Sequence, residues 1–105
     1  MEVFFRTTKM QKFSEDHKKL GKKHGVIQAE KIIKRINELK ASESLYDISR
    51  MPQTGLHPLS GDLEGKFAVY IQQPYRMIFK PLNGEISELR TITKIEIVEI
   101  YCDYH

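Results

Sequence analysis

His57 in the loop LHPLSG, Arg76 in the stretch YRMIF and the run Asp103, Tyr104, His105 are the residues whose types suit proton transfer and anion binding. Imidazole titrates near neutral pH and can give or take a proton, while the guanidinium offers a planar fork of donors that matches phosphate oxygens. An acid beside a histidine orients its ring or raises its proton affinity. Arg76 shares its strand parity with Ile78, so one sheet face carries a cation where a core would want an apolar side chain. The run DYH stands directly behind the apolar stretch Ile95 to Ile100, which reads as a site carried on a strand end. Small polar and charged neighbours in the loop, Ser60, Asp62 and Lys66, complete the set. If the last strand lies beside the Arg76 strand, His57, Arg76 and His105 meet above one face of the sheet.

The elements that must position these residues are legible from periodicity. Val3 to Phe5 reads as a short strand. Lys9 to Leu20 reads as one helix with Met10, Phe13, His17 and Leu20 on one side and Gly21 as its stop. After the basic link KKHG, residues Ala29, Ile32, Ile33, Ile36 and Leu39 form an apolar stripe opposed by Glu30, Lys31, Lys34, Arg35 and Glu38. Ser42 to Arg50 allows a third short helix, and Pro52, Gly55 and Pro58 break regular structure as far as Lys66. Phe67, Val69 and Ile71 alternate with Ala68, Tyr70 and Gln72 as a strand does, and Tyr75 to Lys80 makes a hairpin partner. Lys94 to Tyr101 is a strand with apolar residues on both parities, so it is covered on both faces or holds a bulge. The order is α+β, with an N-terminal strand and two or three helices packed on a mainly antiparallel sheet of about four strands.

Composition narrows the classes. The chain of 105 residues, 40% hydrophobic and 30% charged, reads as a single domain over 1–105. No stretch has the roughly 18 apolar residues of a membrane span, and MEVFFRTTKM lacks a signal-peptide layout, so a cytoplasmic protein is expected. One cysteine, Cys102, excludes an intrachain disulfide and suits a packing role in a reducing compartment. The four histidines lack metal-ligand spacing, there is no phosphate loop and no nucleophile elbow, and no metal or cofactor is expected. Each candidate also has a plain reading: His57 as an exposed loop residue, Arg76 as a snorkelling edge residue, His17 as a hydrogen-bonded helix histidine, His24 as a solvated one.

The run LHPLSGDLEGKFAVYIQQPYRMIFKPL, followed by a strand ending in DYH, resembles the HigB branch of the RelE/ParE toxin superfamily. The resemblance covers residues 56–105. It implies a toxin of a type II toxin–antitoxin system that cuts messenger RNA in the ribosomal decoding site and is restrained by a helix-turn-helix, HigA-like antitoxin in a hetero-oligomer. The alternative within the superfamily is a ParE-like toxin that binds and blocks a protein such as DNA gyrase. By matched position the resemblance makes His57, Arg76, Asp103, Tyr104 and His105 the catalytic candidates. Where several relatives carry a lysine in the HPLxG loop this chain has Ser60, and nearby Lys66 offers a replacement phosphate contact. The chemistry agrees with this: metal-free RNA scission needs a base for the 2′-hydroxyl, an acid for the 5′-oxygen and fixed cations for the phosphate, giving a 2′,3′-cyclic phosphate and a 5′-hydroxyl. Tyr104 would stack on a base or bond the phosphate. The lysine-rich residues Lys22, Lys23, Lys31, Lys34 and Arg35 are expected to meet an acidic partner.

Overall fold

The computed structural model describes residues 1–103. Along the chain run β1 (Glu2–Phe5), α1 (Thr8–Ser14), α2 (His17–His24), α3 (Val26–Ala41), α4 (Leu45–Ser49), β2 (His57–Pro58), β3 (Phe67–Tyr70), β4 (Tyr75–Pro81) and β5 (Lys94–Asp103). The α+β class is as expected. Among the described residues the sheet has five strands instead of about four, in the order β1-β5-β4-β3-β2. The extra strand is β2, where His57 pairs with Ala68 and Pro58 with Phe67. A proline can end such an edge, since only one side of the strand needs donors. β1 runs parallel to β5, with Val3 opposite Ile95 and Phe5 opposite Ile97, and the other pairings are antiparallel.

Two helical expectations need correction. The stretch from Lys9 to Leu20 is not one helix: Asp16 accepts a hydrogen bond from the Lys19 N–H at 3.0 Å and starts α2 afresh, as Thr7 starts α1 by accepting from Met10. Gly21 lies inside α2, and the stop is Gly25, whose φ of 93° is a conformation glycine tolerates and other residues resist. The expected basic link is thus the last turn of α2, where Lys22 and Lys23 face the negative end of the helix dipole.

The stripe of α3 buries Ala29, Ile32, Ile36 and Leu39 against Phe67, Val69, Met77, Phe79, Ile95 and Ile97 of the sheet. Each such large side chain contributes about 1.5–3 kcal/mol on burial. The other face of the sheet carries a smaller cluster of Leu59, Ala68, Ile78 and Val98. β5 serves both, because its register against β4 shifts between Arg76 and Ile78 and again between Ile78 and Phe79. Ile95, Ile97 and Ile100 therefore reach the helix side although their parity changes, and Val98 reaches the opposite side. Helices cover one face; the candidate site lies on the other.

Candidate functional site

The site begins with a backbone feature. The 3₁₀ turn Pro52–Thr54 ends at Gly55 in the left-handed region, φ 55°, and the buried Thr54 hydroxyl anchors the turn 2.8 Å from the Met51 carbonyl. A β-carbon on Gly55 would overlap the Tyr70 ring, so this position requires glycine both for its conformation and for space. Two residues on, His57 Nδ1 lies 2.9 Å from the Gly55 carbonyl and Nε2 lies 3.2 Å from Arg76 Nη1. A carbonyl can only accept and a guanidinium can only donate. The two contacts together select the neutral Nδ1–H tautomer, with the Nε2 lone pair turned toward Arg76.

Register explains the meeting. His57 stands opposite Ala68, Ala68 opposite Ile78, Tyr70 opposite Arg76, and Arg76 opposite Cys102. All occupy one row family on the face away from the helices. The Arg76 guanidinium carbon sits 5.4 Å from the Tyr70 ring centre, and the His57 and Tyr70 rings are 6.3 Å apart. Tyr70 is thus the platform shared by the imidazole and the guanidinium, a role the alternation at Ala68 and Tyr70 hints at and composition does not. His57, Tyr70 and Arg76 are all half-buried.

The other sequence candidates fall at varied distances from this pair. Asp103 is exposed at the end of β5 opposite Tyr75, one position beyond the Arg76 and Cys102 pairing. Its carboxylate helps raise the pKa of both Tyr101 and Cys102, although burial is the larger cause for each. Cys102 packs partly against the smaller cluster, as a packing role requires. Ser60 precedes the 3₁₀ turn Gly61–Leu63, and the Lys66 carbonyl accepts from Leu59. Among the described residues neither side chain bonds His57 or Arg76. Tyr104 and His105 lie outside the described residues.

On the helix side, His24 is not solvated. Its ring stacks 4.0 Å from that of Tyr101, which stacks 4.2 Å from Tyr75. Burial, and then the Lys23 charge, push the His24 pKa down, and burial with the Tyr75 hydrogen bond pushes Tyr101 up to about 12. Arg35 also departs from expectation. It is 7% exposed and bonded to Tyr70 O, Gln53 O and Glu38, so of the expected basic residues Lys31, Lys34 and Arg35 on α3 only Lys34 is exposed. Among the described residues no three His, Cys, Asp or Glu side chains converge as a metal site, and no helix is long and apolar enough to cross a membrane.

Comparison with known proteins gives the family and the fold. Residues 3–105 match the family described as the RelE-like toxin of the type II toxin–antitoxin system HigB. Among solved structures the chain is similar to the YoeB/ParE toxin from Agrobacterium tumefaciens, at 21% identity and a TM-score of 0.52, covering 100% of this chain and 99% of that one. It is also similar to a chain of the heterotetrameric YoeB–YefM toxin–antitoxin complex from Staphylococcus aureus, at 17% identity and a TM-score of 0.51, covering 100% and 97%. At such identities the likeness is one of fold. No curated protein matches the chain.

Proposed function

Because the chain belongs to the HigB-like family of RelE-like toxins from type II toxin–antitoxin systems, we propose that it is a ribosome-dependent endoribonuclease that cuts translated messenger RNA without a metal. The observation that carries this reading is the His57 ring, held by Gly55 with its Nε2 lone pair against Arg76. In the proposed reaction Arg76 turns its donors to the scissile phosphate, and His57 Nε2 takes the proton of the 2′-hydroxyl as the 2′-oxygen attacks phosphorus. The bond from phosphorus to the 5′-oxygen breaks, and His105 returns a proton to that oxygen. Products are a 2′,3′-cyclic phosphate and a 5′-hydroxyl. Asp103 and Tyr104 support the second imidazole and the substrate, and Ser60 and Lys66 flank the RNA path. The pair lies on the sheet face away from the helices.

The YoeB–YefM complexes among the similar structures support an antitoxin as partner. A HigA-like, helix-turn-helix antitoxin in a hetero-oligomer, acting in the cytoplasm in plasmid maintenance, is the finer form of the proposal. The test is expression from a tight promoter, with cuts mapped in translated messages and the new ends typed with and without chelator. Growth arrest with ribosome-dependent cuts bearing cyclic phosphates supports the nuclease. Arrest without cuts replaces it with a toxin that blocks a protein target such as DNA gyrase, and no arrest sets both aside.

A further inference from the structure

Arg35 sits on α3, on the far side of the sheet from His57, yet its bonds lead to the site. Nε donates to the Tyr70 carbonyl at 2.7 Å, Nη2 to the Gln53 carbonyl at 2.9 Å, and Nη1 to Glu38 Oε1 at 2.6 Å. Glu38 Oε2 in turn accepts from Gln53 Nε2 at 3.3 Å. An arginine that is 7% exposed has given up most of its water, and only a full set of charge-assisted bonds offsets that cost. A helix needs no such arrangement for its own stability, since a surface pair three residues apart contributes only about 0.2–0.5 kcal/mol.

The two carbonyls are informative. Gln53 precedes Gly55 by two residues, and Gly55 supplies the carbonyl that fixes His57 Nδ1. Tyr70 lies over Gly55 with no room for a β-carbon between them and stands opposite Arg76, which holds His57 Nε2. The carbonyl bonds of Arg35 therefore end two residues before the Gly55 carbonyl and directly across the sheet from Arg76, the two groups that touch the His57 ring. Neither segment is otherwise tied to the other by regular pairing: Pro52–Thr54 is a 3₁₀ turn and Tyr70 is the last residue of β3. We propose that Arg35 is a positioning residue which, by bridging the Gln53 and Tyr70 carbonyls, sets the tautomer and orientation of His57 from the opposite face of the sheet. A lysine cannot substitute, because one ammonium lacks the rigid fork that reaches three acceptors at once.

The catalytic consequence rests on the nuclease reading; the tautomer does not, so the experiment measures both. Long-range ¹H–¹⁵N correlation of the His57 ring is followed through a pH titration in the wild type, Arg35→Lys, Glu38→Ala and the control Ile32→Val. The control lies on the same helix and costs about 0.5–1.5 kcal/mol without touching either carbonyl. Expected are a single Nδ1–H tautomer in the wild type and the control, tautomer mixing in Arg35→Lys, and a smaller change in the same direction in Glu38→Ala, which keeps the arginine and loses one tether. Cleavage on programmed ribosomes should fall about tenfold or more in kcat for Arg35→Lys with KM unchanged, since misplacing a catalytic group by about 1 Å can cost up to about 10²-fold. If Arg35→Lys does not fold, Glu38→Ala carries the same readout. A wild-type tautomer and titration in a folded Arg35→Lys or Glu38→Ala overturns the proposal, as does an equal change in Ile32→Val. Absence of cleavage in the wild type would remove the nuclease reading while the ring spectra still decide the role of Arg35.

Discussion

Arg76 and His57 make the shortest route from structure to a measurable effect. Arg76→Ala removes the proposed phosphate fork and the donor to Nε2, yet leaves Tyr70 packed on Gly55. Single-turnover cleavage should drop by about 10²-fold or more, while thermal melting stays close to wild type. Loss of solubility together with activity would instead make Arg76 a structural residue. For His105, deletion should change stability by less than about 0.5 kcal/mol and activity by on the order of 10²- to 10⁴-fold, checked by toxicity and melting of the 104-residue variant beside the 105-residue chain. His24 gives a pH signature. Burial and Lys23 lower its folded pKa from 6.5, so its neutral form is the one the fold favours. That stabilisation is present above pH 6.5 and is lost as pH falls through the lower folded value. Wild type should therefore lose more melting temperature on acidification than His24→Gln. Tyr101 acts at the other extreme: its pKa is raised from 10.0 to about 12, so its contribution is complete below pH 10 and is lost as pH rises toward 12.

Elements turn on their glycines in opposite ways. Gly21 is in the interior of α2 with nothing within 4 Å of an added β-carbon, so Gly21→Ala should stabilise by about 0.5–1 kcal/mol through helix propensity. Gly55 ends the 3₁₀ turn at φ 55° beneath the Tyr70 ring. Gly55→Ala should cost at least about 1–3 kcal/mol and displace the carbonyl that holds His57, lowering cleavage as well as the denaturant midpoint. Chemical denaturation of both variants is the check, and a Gly55→Ala variant with wild-type midpoint and cleavage would show that the turn does not anchor the site. The loop after β4 is held differently: Asn83 Oδ1 accepts from the Thr93 and Lys94 backbones at 3.0 and 3.1 Å, tying the loop, which includes the 3₁₀ turn Leu89–Thr91, to the start of β5.

The whole molecule separates its faces. Helices and their exposed lysines, among them Lys18, Lys19, Lys22, Lys23 and Lys34, lie on one side, and the His57 and Arg76 pair lies on the other. With a formal charge of +3, the toxin should meet an acidic antitoxin through the helix side, where charge mostly accelerates encounter. Reversing Lys22 and Lys23 to Glu should slow association with the co-expressed antitoxin about tenfold at low salt and leave cleavage by the free toxin unchanged. Stopped-flow association and ribosome cleavage on the same preparation measure both. An association rate indifferent to the reversal would move the partner away from α2.

Local pattern determined a good deal by itself. The apolar stripe of α3, the alternation of β3 and β4, the bulged character of β5 and the odd parity of Arg76 all follow from periods of 3.6 and two residues, which neighbours in the chain fix. The motifs around His57, Arg76 and residues 103–105 were enough to name the family. Tertiary structure decided the rest. His57 meets Arg76 only because two residues after Gly55 pair as an edge strand and the register carries across β3 to β4. Arg35 sits among the charged residues opposite the α3 stripe, and became a buried clamp because Glu38, Gln53 and Tyr70 offer three acceptors in one place. Gly21 and Gly25 both allow a helix to stop. The helix stops at Gly25 because Asp16 begins α2 late and the turn into α3 demands φ 93°. Periodicity reports which side a residue faces; only packing reports what waits there.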